Sequence, residues 1–343
     1  MRILLIGGTG FIGQHVATAI ERLGHDVAVF HRQPSKEGDP RVGPLEIVGD
    51  RNRLGESSRQ LYAFNPDVVV DLILSSRRQA RELMDLFRGH TSRIVALSSC
   101  DVYRACGVLH GSETGPLEPL PLTEESPLRT KLQTYPPDRI RMLQQVFGWV
   151  DDEYDKIPVE REILGESDLT ATVLRLPMVY GPGDPLHRLL PIVKRMDDGR
   201  SAILFEEKHA AWRGPRGYVE NVAAAIALAA TADRAEHRIY NVGDLDTPSE
   251  LNWAAAIGRV IGWRGRFVTL PADRTPPHLR LPGNLDQHWV TDTSRIRSEL
   301  GYREPVDGDE AIRRTVEWER ANPPTGFNPH QFDYAAEDAA LTA

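Results

Sequence analysis

The feature that most constrains this chain is a glycine-rich loop between an apolar run and a helical pattern. Residues 2–6 are Arg-Ile-Leu-Leu-Ile, and they run directly into Gly7-Gly8-Thr9-Gly10-Phe11-Ile12-Gly13. Apolar residues then recur at helical spacing, at positions 12, 16, 19, 20 and 23, and Gly24 ends the pattern. A short apolar run without alternation is typical of a strand that is covered on both faces of a parallel sheet. The start of the chain therefore predicts a strand–turn–helix unit.

The alternation of strand and helix patterns continues beyond this first unit. Short apolar runs predict four further strands in the first hundred residues, at 27–30, 45–48, 68–74 and 93–97, and residues 77–88 have helical spacing. Further along, we predict strands at 172–176 and 239–242, and helices at 155–164, 187–198, 219–231, 249–261 and 308–320. Strands that alternate with helices in this way predict an α/β fold with a doubly wound parallel sheet.

The position of the glycine loop also predicts a ligand. In the first strand–turn–helix unit of such a sheet, glycines let the backbone turn tightly and approach a pyrophosphate. The N-terminus of the following helix supplies free N–H groups and the positive end of its dipole. We therefore expect a dinucleotide to bind at Gly7, Thr9, Gly10, Phe11, Ile12 and Gly13.

The end of the second predicted strand bears on which dinucleotide binds. A carboxylate at this position bonds the ribose hydroxyls of NAD, whereas arginine suits the 2′-phosphate of NADP. Here the chain has no acidic residue at the end of the strand and continues with His31, Arg32, Ser35 and Lys36. These side chains predict NADP(H) in preference to NAD(H).

Five short motifs follow the glycine loop. They are Gly49-Asp50, Leu97-Ser98-Ser99-Cys100-Asp101-Val102-Tyr103, Leu174-Arg175-Leu176-Pro177-Met178-Val179-Tyr180-Gly181-Pro182-Gly183-Asp184, Gly217-Tyr218-Val219-Glu220-Asn221-Val222-Ala223, and Asp292-Thr293-Ser294-Arg295-Ile296-Arg297-Ser298-Glu299-Leu300-Gly301-Tyr302. In this order, and over residues 1–320, the chain resembles the extended short-chain dehydrogenase/reductase family, in its NAD-dependent epimerase/dehydratase group.

The resemblance implies a Rossmann-type sheet with a smaller C-terminal α/β substrate domain, and it implies a homodimer. We assign 1–180 and 217–245 to the Rossmann domain, 181–216 and 246–322 to the substrate domain, and 323–343 to a polar, loose or draped tail. Residues 107–150 contain six prolines and four glycines, which predict an inserted, loop-rich lid or flap. By the resemblance, Asp50 contacts adenine, Pro177 and Met178 form part of the nicotinamide wall, and Leu74 also contacts the cofactor.

The catalytic residues follow from the same resemblance. The family transfers hydride to or from nicotinamide, while a tyrosine exchanges a proton with the substrate oxygen and a serine or threonine hydrogen-bonds it. A free tyrosine titrates near 10, so it needs a neighbouring cation to act near neutrality. The family provides a lysine four residues later on a helix. Ser99 matches the family's serine, and Lys156 with Glu160 matches its lysine and the following glutamate.

The tyrosine is where this chain departs from the family, because Tyr154 lies only two residues before Lys156. Two residues apart on a helix point in nearly opposite directions, whereas in an extended segment they lie on one side. Proline is tolerated only in the first turn of a helix, so Pro158 favours a helix capped by Asp155, with Tyr154 outside it. This leaves two alternatives, that Tyr154 and Lys156 cooperate or that they do not.

Candidate substrate residues are fewer. In nucleotide-sugar epimerases, an arginine at the position of Arg216 grips a diphosphate, but the second arginine of that subsite is replaced here by Leu281. Arg213, His187 and Tyr103 are further candidates to line the substrate pocket. The two cysteines, Cys100 and Cys106, have neither disulfide nor zinc spacing, and we predict no metal site.

Composition limits the partners and the compartment. The net charge of −8 disfavours nucleic acid, and no apolar stretch reaches the length of a membrane span. The first residues do not resemble a signal peptide, which favours a cytoplasmic protein with a small-molecule substrate.

Three functions remain open from the sequence. The first is an NAD(P)-dependent oxidoreductase, epimerase or dehydratase, which acts on a hydroxyl or carbonyl carbon of a small polar substrate such as a sugar or nucleotide sugar. The second is a catalytically silent NAD(P)-binding sensor or scaffold, because the regular Tyr-x-x-x-Lys motif is absent. The third is RNA binding, since chloroplast stem-loop-binding proteins resemble the same group, and the acidic charge makes it the least favoured.

Overall fold

The computed structural model describes residues 1–33, 45–133, 135–165, 168–326 and 328–342. Its strands are β1 (Arg2–Ile6), β2 (Asp26–His31), β3 (Leu45–Val48), β4 (Val68–Asp71), β5 (Arg93–Ser99), β6 (Thr170–Leu176), β7 (Met178–Tyr180), β8 (Ala202–Glu206), β9 (Arg216–Tyr218), β10 (Arg238–Asn241) and β11 (Arg266–Leu270). Its helices are α1 (Gly13–Arg22), α2 (Ser58–Phe64), α3 (Arg77–Phe87), α4 (Arg104–Leu109), α5 (Pro137–Phe147), α6 (Lys156–Ile163), α7 (Leu190–Asp197), α8 (Glu207–Ala211), α9 (Val219–Thr231), α10 (Glu250–Ile261), α11 (Ser294–Leu300), α12 (Gly308–Ala321) and α13 (Tyr334–Thr342).

Seven strands form one parallel sheet in the order β10-β6-β5-β4-β1-β2-β3. The strand β1 lies between β2 and β4, so that Leu5 is paired with Val29 on one side and Val70 on the other. The chain therefore moves outward from β1 in one direction and returns to continue in the other. A crevice opens at the carboxyl ends of the strands at such a reversal, and this is where ligands bind in open α/β sheets. The predicted doubly wound sheet is confirmed.

The side chains of β1 explain why this run lacks alternation. Ile3 and Leu5 point into one hydrophobic core with α1 and α9, and Leu4 and Ile6 point into a second core with α2, α3 and α6. All four side chains are completely buried because helices cover both faces of the sheet.

Two smaller parallel pairs lie outside the main sheet. The strand β7 pairs with β9, and β8 pairs with β11. The strand β7 follows directly after β6, while β8 and β11 lie among the residues that we assigned to the substrate domain. No helix in the described ranges is long and apolar enough to cross a membrane.

Most predicted elements lie within a few residues of the observed ones, with three differences. The fourth strand ends at Asp71 rather than at residue 74. The inserted segment is less irregular than predicted, since it contains part of α4 and all of α5. Beyond Pro323, where the sequence predicts no element, α13 packs on the molecule through the completely buried Glu337.

Candidate active site

The glycine loop is shaped by close backbone approaches at the start of α1. Gly7 has a φ of +86°, a conformation that side chains rarely adopt. A Cβ atom on Gly13 would lie 2.4 Å from the carbonyl oxygen of Gly7, and one on Gly8 would lie 2.7 Å from Cγ1 of Val29. Only glycine permits these contacts. They hold the N-terminus of α1 against the loop, as a pyrophosphate-binding turn requires.

A cavity of about 560 Å³ opens beside this loop. Seven of the predicted cofactor residues line it, namely Gly7, Thr9, Gly10, Phe11, His31, Arg32 and Asp50. Ile12 and Gly13 form the start of α1 behind the loop. The far wall comes from the inserted segment, through Val146, Phe147, Gly148 and Trp149. The glycine turn, the helix N-terminus and the adjoining cavity together fit a nicotinamide dinucleotide.

The end of β2 differs from a simple cationic site. The ring of His31 is buried and pairs with the carboxylate of Glu46 on β3. The guanidinium of Arg32 is at the cavity wall, where it donates to the carbonyl oxygen of Gly148 at 3.1 Å. Asp50 accepts from the backbone N–H of Asn52 at 2.9 Å. Ser35 and Lys36 lie outside the described residues.

Lys156 begins α6, as the sequence predicts. The carboxylate of Asp155 caps this helix by accepting from the N–H of Ile157 at 2.8 Å, and Pro158 falls at the third helical position. The Lys156 ammonium donates to the carbonyl oxygen of Leu74 and, at 3.1 Å, to that of Leu97. These carbonyls follow β4 and lie on β5, so Lys156 is at the carboxyl edge of the sheet. Burial lowers the pKa of Lys156 to about 8, although Asp101 and other nearby carboxylates oppose the shift.

The structure places Tyr154 next to Lys156. This residue lies outside α6, and the Lys156 Nζ atom is 5.7 Å from the centre of its ring. The two side chains are therefore neighbours. The Tyr154 hydroxyl, however, donates to Oδ2 of Asp101 at 3.2 Å. Burial, and then the nearby Asp101 carboxylate, raise the pKa of Tyr154 well above its usual value.

Ser99 ends β5 beside this group. Its Oγ atom accepts from the backbone N–H of Asp101 at 3.2 Å, so the serine caps the short turn that carries Asp101. Ser99 and Tyr154 are thus both hydrogen-bonded to Asp101, while Lys156 is hydrogen-bonded to the backbone at the ends of β4 and β5.

Three residues of this group, Asp101, Tyr135 and Arg129, were not predicted as site residues from the sequence. Asp101 is buried, and its Oδ2 atom also accepts from the Tyr135 hydroxyl at 3.3 Å. Arg129 donates through Nε to the Asp101 carbonyl at 2.6 Å and through a terminal nitrogen to Asp155 at 3.2 Å. Asp101 could have been identified from the sequence, because it lies two residues after Ser99 in the same motif. Tyr135 and Arg129 belong to the inserted segment, where no local pattern marks them.

The predicted substrate residues make contacts in other parts of the molecule. Tyr103 is completely buried, and its hydroxyl donates to Asn241 at 2.6 Å and accepts from Arg175 at 3.0 Å. It is therefore part of the core beneath the sheet edge. The guanidinium of Arg216 pairs with Glu250 and lies 5.0 Å from the ring centre of Trp253.

The other two candidates are held by neighbouring loops and helices. The Arg213 guanidinium donates to the Thr247 carbonyl at 2.7 Å. His187 lies 2.6 Å from the Glu319 carboxylate and stacks on Trp318.

The remaining predicted residues lie at the junction between β6 and the substrate domain. Pro177 precedes β7, and Met178 packs against a cluster that contains Trp212 and Trp289. Cys100 and Cys106 are free, and burial raises the pKa of both thiols, which disfavours a nucleophilic role. Within the described ranges, no group of His, Cys, Asp and Glu is arranged to hold a metal.

The fold and the glycine loop define a class of protein, a Rossmann-type α/β protein with a dinucleotide-binding turn at the start of α1. Residues 3–243 match the model of the NAD dependent epimerase/dehydratase family. The chain belongs to this family. It is an NAD-dependent enzyme of the extended short-chain dehydrogenase/reductase type, an oxidoreductase or epimerase that binds a nicotinamide dinucleotide.

Named relatives span nearly the whole chain at low identity. A 3-diazoavenalumate denitrifying reductase from Streptomyces sp. is 25% identical over 320 residues, which cover 88% of this chain and 96% of the relative. A dTDP-glucose 4,6-dehydratase from Actinoplanes sp. is 23% identical over 360 residues, which cover 94% and 98%. Among solved structures, MoeE5 in complex with UDP-glucuronic acid and NAD superposes with a TM-score of 0.65 at 20% identity, covering 94% of this chain and all of the other. At this identity the superposition shows the shared fold.

Proposed function

We propose that this enzyme uses Tyr154, Lys156 and Ser99 to interconvert a hydroxyl and a carbonyl group on a small polar substrate. The observation that carries the proposal is the position of Tyr154, whose ring lies 5.7 Å from the Lys156 ammonium at the carboxyl edge of the sheet. A tyrosine and a lysine that act together must lie close to each other in the site. Tyr154 and Lys156 lie close together although their spacing in the chain is two residues, rather than the family's four.

Each side chain has one task in this proposal. The bound dinucleotide supplies or accepts a hydride. Tyr154 exchanges a proton with the substrate oxygen, and the Ser99 hydroxyl hydrogen-bonds that oxygen and so orients it. Lys156 holds the nicotinamide ribose through its ammonium group, which is already fixed in direction by the carbonyls of Leu74 and Leu97.

The proposal is tested by removing one hydroxyl. We expect Tyr154→Phe to lower kcat by about 10²–10⁴, the usual contribution of a positioned proton donor, and to leave dinucleotide affinity nearly unchanged. Tyr135→Phe is the matched control, because the hydroxyl of Tyr135 also donates to Asp101 Oδ2. Full turnover by Tyr154→Phe would contradict the proposal, and loss of turnover in Tyr135→Phe alone would move the role to that residue.

We further propose that NADP(H) is preferred over NAD(H). Support comes from the Arg32 guanidinium at the wall of the cavity and from the absence of an acidic residue at the end of β2. Lys36, which lies outside the described residues, is a second candidate for the 2′-phosphate. Titration of the protein fluorescence with NADPH and with NADH measures both dissociation constants. Tighter binding of NADH would contradict this assignment.

We propose nucleotide sugars as the leading class of candidate substrates. Support comes from the dehydratase relative, which is named for dTDP-glucose, and from Arg216 at a position that grips a diphosphate in such enzymes. The replacement of the second arginine by Leu281 makes simple ketones the next class. A panel of dTDP-glucose, UDP-glucose, UDP-glucuronic acid and small ketones, monitored by cofactor absorbance and by NMR of the product, separates net reduction from epimerisation.

The setting of the enzyme is part of the same proposal. We propose that the enzyme is a homodimer, as the family resemblance implies. We also propose that it is cytoplasmic, because its two buried cysteines form no disulfide, as is usual in a reducing compartment. Light scattering of the purified protein measures its mass, and a monomer would contradict the dimer.

A further inference from the structure

The contacts of Tyr154 raise a difficulty for the simple form of the mechanism. A tyrosine that accepts a proton from the substrate must first be a phenolate, and a neighbouring cation favours that form. Here the hydroxyl donates to a carboxylate oxygen, Oδ2 of Asp101, at 3.2 Å. Burial disfavours a phenolate at Tyr154, and the adjacent Asp101 carboxylate disfavours it further. Tyr154 therefore needs a route for its proton that does not leave a phenolate behind.

Asp101 is placed to provide that route. Its carboxylate is buried on the short turn that follows β5, directly after Ser99 and Cys100. The Oδ2 atom accepts from two phenols, Tyr154 and Tyr135. The Oδ1 atom is buried without a hydrogen-bond partner among the described residues, and it lies 4.0 Å from the Arg129 guanidinium.

The charged and titratable groups around Asp101 come from every element that packs against it. They are Cys100 on the same turn, Cys106 on α4, Arg129 and Tyr135 in the inserted segment, and Tyr154, Asp155 and Lys156 at the start of α6. Arg129, Lys156 and the hydrogen bond from Tyr154 favour the ionised carboxylate, whereas burial and Asp155 favour the protonated carboxyl. Burial is the largest effect, and it raises the pKa of Asp101 above its usual value.

We propose that Asp101 is the proton-holding partner of Tyr154, so that a Tyr–Asp pair, rather than a tyrosine activated by lysine alone, moves the proton in this enzyme. The inference rests on the proposed function. Asp101 acts through Tyr154 and is a positioning residue, since it is the phenol that meets the substrate oxygen. Lys156 keeps its task at the ribose.

The transfer balances in both directions. When a carbonyl is reduced, the carbon receives a hydride from the reduced dinucleotide, and the O–H bond of Tyr154 breaks as one forms on the substrate oxygen. The O–H bond of the Asp101 carboxyl breaks in the same step and restores the Tyr154 hydroxyl. When an alcohol is oxidised, Asp101 starts as a carboxylate and receives the phenolic proton while Tyr154 takes that of the alcohol. Neither direction forms a free phenolate.

The first test reads the carboxyl group and needs no substrate. Protein labelled with ¹³C in the aspartate carboxyls is saturated with NADPH, the form from which reduction starts, and examined by isotope-edited infrared spectroscopy from about pH 6 to about pH 8, above the ordinary range of aspartate. We expect a protonated carboxyl that disappears in Asp101→Asn and shifts in Tyr154→Phe, because Tyr154 donates to it. The Tyr154→Phe shift assigns the signal even if Asp101→Asn does not fold. A carboxylate that stays ionised throughout would overturn the proposal.

The second test is the pH profile of kcat/KM for whichever substrate of the panel turns over. In the reductive direction, we expect the wild-type rate to fall as Asp101 loses its proton. Asp101→Asn keeps an acceptor for both phenols but cannot hold a proton. It should be slower by about 10² and lack this limb. Tyr135→Phe, which removes the other phenol from the same oxygen, should keep the limb.

The outcomes separate this inference from the proposed function. If Asp101 had only a structural role, Asp101→Asn would be slower at every pH, and its pH profile would still show the same fall in rate as that of the wild type. This result would overturn the proposal. If no nucleotide sugar or ketone turns over, the proposed function fails, and the infrared titration still decides the protonation of Asp101.

Discussion

Lys156 is a buried ammonium group whose hydrogen bonds go to two backbone carbonyls. The nearby carboxyl groups of Asp101, Asp71 and Glu160 favour this charge whenever they are ionised. A buried cation of this kind costs stability in the free protein, because water would solvate it better. Its retention at the carboxyl edge of the sheet is the expected cost of a site that is prepared for a ligand.

Asp244, which follows β10, offers a test of burial at the residue scale. Burial raises the pKa of Asp244 to about 7, although the N–H of Tyr218 donates to its carboxylate at 3.3 Å. The folded protein therefore binds this proton more tightly than the unfolded chain does. Stability should fall as the pH rises from about 4 to about 7, and the loss should persist above that range.

The variant that removes this effect is Asp244→Asn, which keeps an acceptor for the N–H of Tyr218. At about pH 8, we expect the free energy of unfolding of this variant to exceed that of the wild type by about 1–3 kcal/mol. At about pH 4, the two free energies should be equal. Urea unfolding at both values measures the difference. A variant that is less stable at the higher pH would show that Asp244 is ionised and well solvated in the folded state.

At the scale of elements, two of the contacts that attach the inserted segment to the rest of the molecule lie close to the candidate site. Arg129 donates to Asp155, the residue that caps α6, and so ties the segment to the helix that carries Lys156. At its other end, none of the side chains of α5 is buried, while Gly148 and Trp149 line the cofactor cavity. Arg32 holds this end through the Gly148 carbonyl. The end of the insertion thus forms part of the wall of the cavity.

Gly148 tests whether this wall affects cofactor binding. Its φ is +63°, and a Cβ atom would lie 2.8 Å from a terminal nitrogen of Arg32. We expect Gly148→Ala to weaken NADPH binding by about 3–10-fold, or about 1 kcal/mol, since it strains the turn and displaces Arg32. Gly89→Ala is the matched control, because Gly89 has a similar φ of +75° and open space around its Cα. Equal affinities for the two variants would show that the contact between Arg32 and Gly148 is irrelevant to binding.

At the scale of the whole molecule, α13 attaches the end of the chain to α7. The completely buried Glu337 accepts from Arg195 at 2.6 Å and lies 3.1 Å from His278. Breaking a buried ion pair leaves its partner's charge unbalanced. A neighbouring pair between Arg200 and Asp338 joins the same two regions, but Asp338 is exposed.

This arrangement predicts two different results for adjacent residues. We expect Glu337→Ala to lower the free energy of unfolding by about 3–5 kcal/mol, because it leaves Arg195 buried and unpaired. Asp338→Ala should have little effect, since exposed pairs are screened by water. Thermal unfolding distinguishes the variants, and NADPH titration should give the wild-type affinity for both. If Glu337→Ala were as stable as Asp338→Ala, α13 would not be part of the cooperative fold.

The sequence by itself determined the parts of this protein that depend on local patterns. The apolar run of β1, the glycines of the loop and the helical spacing of α1 are each set by residues that are close in the chain. The doubly wound sheet and the dinucleotide site were therefore predictable from them. Pro158 and Asp155 likewise fix the start of α6, because both act within one helical turn. Lys156 was found through the family's pattern of lysine and glutamate, which also lies on one short helix.

Only the tertiary structure decided what surrounds Lys156. Tyr135 and Arg129 meet Asp101 because the inserted segment folds back onto the carboxyl edge of the sheet, and Tyr154 meets it from just before α6. The same is true of Tyr103, which the sequence assigned to the substrate and which the core network of Arg175 and Asn241 holds instead. Contacts between residues far apart in the chain depend on the path of the loops between them, and that path has no periodic signal in the sequence.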